Sequence, residues 1–124
     1  MFELNVRTHF CAAHHLVGYR GDCAANHGHT WEVTVFVSGE RLDDNGFLID
    51  FRDLKNTVGK VVKTLDHSDL NALDTFQKDS PTSENIARFL FTELSDKLNT
   101  DRVRVSRISV QETPGVAALY SEDK

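Results

Sequence analysis

Four residues near the N-terminus have the types and spacing from which chemistry can be built: His14, Cys23, and the pair His27 and His29 on either side of Gly28. Neutral imidazoles are good ligands for a borderline divalent metal, and a thiol close by adds either a further ligand or an acid/base group. The spacing matters because a strand sends residues i and i+2 to the same face, so His27 and His29 can reach one ion. Gly28 keeps the crowded position between them clear.

Strand phase selects the third histidine. From Phe2 the even positions read Phe2, Leu4, Val6, Thr8, Phe10, Ala12, His14, and the odd ones read Glu3, Asn5, Arg7, His9, Cys11. This period of two marks a half-buried strand that points His14 inward with the core residues and turns His9 and His15 away. After the glycine-containing loop, His27, His29, Trp31, Val33, Val35 and Val37 share one face, with Phe36 the exception on the other. Three inward imidazoles suit zinc with an open fourth position, where the metal lowers the pKa of a bound oxygen. Iron, cobalt and nickel accept the same ligand type. Cys23 has two readings from its spacing, a fourth ligand that closes the site or a general base beside an exchangeable position. Cys11 reads as a filler on the opposite face.

Two further places carry polar chemistry. In Leu65-Asp66-His67-Ser68-Asp69-Leu70-Asn71, Asp66 and His67 work together only if the chain turns, because adjacent helical residues do not face each other. One reading is a helix C-terminus with His67 on the helix dipole and Asp69 or Asn71 capping the turn. The other is an aspartate that orients a proton-relaying histidine. Glu112 falls in phase with Ile108 and Val110, so its carboxylate points to the covered side, for a salt bridge or for the paired N–H edge of a ligand.

The elements that position these residues follow from periodicity. A strand is expected over about residues 2–13 and a second over 29–38, joined by a loop with Gly18, Gly21 and Cys23. Asp50 reads as an N-cap, with Leu54, Val58, Val61, Val62 and Leu65 at helical spacing. Ser80-Pro81-Thr82 with Glu84 opens a second helix, whose inner face is Ile86, Ala87, Leu90, Phe91, Leu94 and Leu98, ending near Asn99. Two strands, 103–112 and 116–120, meet at Pro114-Gly115, and a change of apolar phase places a bulge near Ser106 and Arg107. The order ββααββ gives one α+β domain over residues 1–124, an antiparallel sheet with two helices on one face.

Composition bounds the function. A chain of 124 residues buries a core without a metal staple, so a metal here reads as functional. A formal charge of −5 with no basic stripe argues against nucleic acid as partner, and leaves room for an anionic small molecule at a metal. The sequence shows no secretory signal pattern and no membrane-spanning run, so a soluble cytoplasmic protein with free Cys11 and Cys23 thiols is expected.

Together, Phe10-Cys11-Ala12-Ala13-His14, Cys23 through His29, Gly46-Phe47-Leu48-Ile49-Asp50-Phe51, Leu65 through Asn71, Pro81-Thr82-Ser83-Glu84-Asn85 and Gln111-Glu112-Thr113 resemble the 6-pyruvoyltetrahydropterin synthase family, including its bacterial 6-carboxytetrahydropterin synthase branch. The resemblance implies a tunnelling fold with a four-stranded antiparallel sheet per subunit, three subunits to a barrel, and two trimers stacked as a hexamer. It further implies zinc held by His14, His27 and His29, Cys23 as catalytic thiol, Asp66 and His67 as proton-relay pair, and Glu112 as anchor for the pterin. Sites of this family lie between subunits, so Asp66 and His67 need not meet Cys23 within one chain.

The implied substrate is 7,8-dihydroneopterin triphosphate, whose neighbouring side-chain hydroxyls suit a Lewis acid. Three residues between Cys23 and His27 resemble the carboxy branch, which releases acetaldehyde and triphosphate on the way to queuosine-type 7-deazaguanines; the pyruvoyl branch loses triphosphate alone. Position 11 departs from the branch, with Cys where related bacterial sequences often have an acid. Arg7, Arg20 and Lys55 are candidates for the triphosphate, or ordinary solvated charges. A non-catalytic zinc-binding or assembly protein, with Cys23 as fourth ligand, is the reading from another class.

Overall fold

The computed structural model describes residues 1–16 and 27–122, and of His27 the backbone alone. Cys23 and Arg20 therefore lie outside the described residues. Seven elements position the site: β1 (Phe2–His14), β2 (His27–Gly39), α1 (Phe51–Lys63), β3 (Ser68–Asp69), α2 (Ser83–Leu98), β4 (Arg104–Gln111) and β5 (Ala118–Tyr120). They form one sheet in the order β3-β1-β2-β4-β5. The expected α+β architecture holds, with one correction of strand count from four to five among the described residues.

The added strand is β3, two residues long, and it pairs parallel to β1 through Ala12↔Ser68 and Ala13↔Asp69. So short a strand has no periodicity to read, and its sequence lies where a helix ends. The other pairings are antiparallel. β1 and β2 run in register from Phe2↔Gly39 to His14↔His27. β2 and β4 pair from Glu32↔Gln111 to Ser38↔Arg104, with a register shift that leaves Ser106 as the extra residue, where the phase change placed a bulge.

Alternation on β1 and β2 works as expected. Phe10, Ala12 and His14 are buried, as are Trp31, Val33, Val35 and Val37, and these side chains meet Leu54, Val58, Val61 and Val62 of α1 and Ile86, Leu90 and Leu94 of α2 in one core. Phe36 faces the other way, with the Arg107 guanidinium 4.0 Å over its ring, so the exception in the pattern is held by a cation–π contact.

The helices begin and end where local chemistry dictates. Asp50 Oδ1 accepts from the Arg52 amide at 2.7 Å, and Thr82 Oγ1 accepts from the Asn85 amide at 3.1 Å, each satisfying a donor left over at a helix start. α1 stops at Lys63, and Leu65 of its apolar stripe reaches the core from just beyond the end. The chain then reverses at His67, whose φ of +56° lies in the left-handed region, before β3 and two short 3₁₀ turns at Leu70–Ala72 and Asp74–Phe76.

Candidate metal centre

The inner face at the end of β1 and the start of β2 collects the site. Trp31 is its floor: the indole is fully buried, stacks on Phe10 at 5.8 Å between centroids, and donates from Nε1 to the Ala12 carbonyl. The His14 ring stands edge-on to it at 4.8 Å and the His29 ring at 5.8 Å. Ala12 lies opposite His29 across the ladder, and its small side chain leaves room for two imidazoles on adjoining strands.

Glu112 completes the cluster. It follows the last residue of β4, and the pairing of Gln111 with Glu32 carries it towards the Trp31 and His29 end of β2. Its Oε2 lies 3.1 Å from His14 Nε2 and 2.8 Å from His29 Nε2. Both nitrogens are in contact with the oxygen, and the His14 nitrogen is the one in line for a hydrogen bond. One donor atom from each of the three residues falls within 4.8 Å of the other two.

The donor chemistry fits a metal. His14 is 1% exposed, and its Nδ1 lies 2.8 Å from the Pro81 carbonyl oxygen, which can only accept. Nδ1 therefore carries a proton, and Nε2 turns its remaining valence to the carboxylate. A lone pair facing a carboxylate oxygen is repulsive, so this corner calls either for a proton between the two groups or for a cation shared among the three donors. A carbonyl on the far nitrogen is also the contact that fixes the tautomer of metal-bound histidines.

The Asp66 and His67 pair sits on the outer edge of β1. The turn that the pair requires is present, and Asp66 Oδ2 lies 2.9 Å from His67 Nδ1. Asp66 Oδ1 accepts from the Cys11 amide at 2.8 Å, and the His67 amide donates to the Cys11 carbonyl. The Cys11 amide, with His67 beside it, holds the Asp66 carboxyl below its ordinary value. His67 itself is 82% exposed, so its outer nitrogen is free to meet another molecule or subunit. The segment keeps features of both readings: the turns that close α1 run on to Asp66, whose amide donates to the Lys63 carbonyl, and Asp69 caps the next turn through the Asn71 amide, while Asp66 and His67 meet side by side.

Of the expected site residues, then, His14, His29 and Glu112 come together, and Asp66 and His67 form a second pair. The side chains of Cys23 and His27 lie outside the described residues, although the His27 backbone is paired opposite His14. Strand phase turns Glu112 inward but does not join it to the histidines; the ladder register between β2 and β4 is what joins them. The Pro81 carbonyl gives no such signal, because a backbone acceptor has no residue-type signature. Cys11, expected to be a filler, is exposed with its Sγ 3.6 Å from Thr30 Oγ1, and its backbone serves the Asp66 and His67 pair.

Comparison with known proteins extends over nearly the whole chain. The profile of a family described as 6-pyruvoyl tetrahydropterin synthase matches residues 3–123. A putative 6-carboxy-5,6,7,8-tetrahydropterin synthase of Archaeoglobus fulgidus is 43% identical over 83% of this chain and 85% of its own length. The 6-carboxy-5,6,7,8-tetrahydropterin synthase of Bacillus subtilis is 35% identical over 99% of this chain and 87% of its own. A dihydroneopterin monophosphate aldolase of Pyrococcus furiosus is 41% identical over 69% of each chain. Among solved structures, 6-pyruvoyl tetrahydropterin synthase of Caenorhabditis elegans superposes with a TM-score of 0.87 at 26% identity, covering 98% of this chain and 96% of that one.

Proposed function

Because the chain belongs to the 6-pyruvoyl tetrahydropterin synthase family, we propose that it is a zinc-dependent carbon–carbon lyase. In this reading it converts 7,8-dihydroneopterin triphosphate to 6-carboxy-5,6,7,8-tetrahydropterin with release of acetaldehyde and triphosphate, as a cytoplasmic single-domain enzyme of 7-deazaguanine (queuosine) synthesis. The observation that carries it is the convergence of His14 Nε2, His29 Nε2 and Glu112 Oε2, with His14 Nδ1 tied to a carbonyl.

His14, His27 and His29 would hold the zinc, which as a Lewis acid would polarise the substrate's side-chain oxygens and acidify the adjacent C–H. The protein's own residues do the rest. Glu112 turns from the histidines to accept from the amino and ring N–H groups of the pterin, a paired contact that fixes the ring. Cys23 takes the proton from the activated carbon, which its thiolate does as a general base. Asp66 orients His67 through Nδ1, leaving Nε2 to exchange a proton with the substrate of a neighbouring subunit. One water is consumed: its oxygen joins the first side-chain carbon, which becomes the carboxyl group as the bond to the second side-chain carbon breaks, acetaldehyde leaves, and the triphosphate is expelled.

The Bacillus subtilis and Archaeoglobus fulgidus relatives favour the carboxy product. The Pyrococcus furiosus relative favours an aldolase acting on the monophosphate as the second reading. Incubation of zinc-loaded protein with each phosphate ester under anaerobic conditions, followed by product mass spectrometry, separates them. Acetaldehyde, triphosphate and a carboxypterin from the triphosphate ester are the expected result. A pyruvoyl pterin without acetaldehyde, or turnover of the monophosphate alone, would replace this reading with a sibling reaction, and zinc retention without turnover would favour an assembly protein.

A further inference from the structure

Two motifs end in asparagines for which the proposed chemistry has no use: Asn71, closing Leu65 through Asn71, and Asn85, closing Pro81 through Asn85. Both side chains are half-buried and spend their amides on main-chain groups next to His14 or its carbonyl partner. We propose that Asn71 and Asn85 are positioning residues for the metal centre, Asn71 acting through the His15 backbone and Asn85 through the Pro81 carbonyl. The proposal rests on the metal reading of the site.

Asn71 does the work of a strand where the strand has run out. β3 pairs with β1 only at Ala12 and Ala13. Two residues on, Asn71 Oδ1 accepts from the His15 amide at 2.8 Å and its Nδ2 donates to the His15 carbonyl at 3.1 Å. One side chain thus supplies both halves of a ladder pair and holds the chain extended past His14. It is itself braced, since its amide donates to Asp69 Oδ1 and its carbonyl accepts from Gln77 Nε2.

Asn85 acts on the ring. The Pro81–Thr82 peptide is planar, so its carbonyl and N–H point in opposite directions and fixing one end fixes the other. The carbonyl takes His14 Nδ1, and the Thr82 N–H donates to the Ser80 carbonyl at 2.8 Å. Asn85 Nδ2 donates to that same Ser80 carbonyl at 2.9 Å, while its Oδ1 accepts from Arg88. The proline ring sets φ at this turn, and Pro81 is buried. A turn braced in this way aims the carbonyl, and through it the imidazole.

The test uses the isosteric variants Asn71→Asp and Asn85→Asp in the full chain, each of which keeps an acceptor and loses the donor to a main-chain carbonyl. Asn99→Ala is the control, because Asn99 Oδ1 accepts from the Val105 amide at 2.8 Å at the opposite end of α2. Zinc affinity is read by competition with a chromogenic chelator. Both Asp variants should bind zinc about 10–100-fold more weakly, the range for loss of a contact behind a metal ligand, with a changed visible spectrum of the cobalt-substituted protein. Asn99→Ala should lower thermal stability and leave affinity and spectrum unchanged.

A second readout needs no metal: the His14 Nδ1–H proton resonance should exchange faster in Asn85→Asp than in the wild type. Unchanged affinity, spectrum and exchange in both Asp variants would overturn the proposal, as would their failure to fold, which would make the role structural. Wild-type protein that binds no zinc but shows the exchange effect would retain the positioning role of Asn85 and sink the metal reading instead.

Discussion

At the scale of single residues, the site is a problem of charge placed in a small buried volume. His14, His29 and Glu112 meet on a floor of Trp31, and the Pro81 carbonyl decides which nitrogen of His14 faces them. The residue types and strand phase were enough to select His14 over its neighbours and to place Glu112 inward. They were not enough to show that Glu112 touches the histidines, since that contact depends on register between strands some 80 positions apart, or that a carbonyl orients His14. Asp66 offers a test of the second pair. Its carboxyl is held below its ordinary value by the Cys11 amide, so the ionised form favours the fold. That contribution is complete above the unfolded value of about 3.9 and is lost as pH falls through the lower folded value. Asp66→Asn keeps an acceptor for Cys11 and cannot titrate. Urea midpoints measured from pH 6 downward should therefore fall more steeply for the wild type than for the variant as the acid range below about pH 4 is entered. Parallel curves would mean that the Cys11 bond does not tune this carboxylate.

At the scale of elements, what was legible was what repeats. β1, β2 and both helices carry long periodic patterns, the caps Asp50 and Thr82 sit at their starts, and the bulge at Ser106 left a visible phase change. β3 and the turn at His67 were not legible, because a two-residue strand has no period and a non-glycine residue at φ +56° gives no signal in its type. The segment from Asp66 to Asn71 nevertheless acts as one clasp along the edge of β1, from Cys11 to His15. Close approach matters at the other end of the ladder too. A methyl group at Gly39 would run into the Arg102 carbonyl and Leu48 Cδ1, and the carbonyl is backbone that cannot step aside cheaply. Gly39→Ala should cost about 1–3 kcal/mol by overpacking, measured by chemical denaturation, with zinc binding at the far end of β1 and β2 preserved. A change below about 0.5 kcal/mol would show that the β2 end relaxes more freely than its contacts imply.

At the scale of the whole molecule, one chain brings His14, His29 and Glu112 together but leaves His67 pointing outward, which fits a site completed by a neighbour. Phe2, Leu42, Phe47 and Phe51 are also exposed and line or border one apolar cavity of about 310 Å³. Such surface is rarely left open on a monomer. Light scattering should give a mass near 84 kDa, six chains of 14.0 kDa, and a stable 14.0 kDa species with full activity would contradict the shared site. An open zinc centre made of histidines leaves Cys23 for proton transfer. X-ray absorption at the zinc edge of the purified protein tests it most directly. Nitrogen and oxygen scatterers alone at about 2.0–2.1 Å are expected around the metal; a sulfur scatterer at about 2.3 Å would place Cys23 on the metal and contradict an open histidine site.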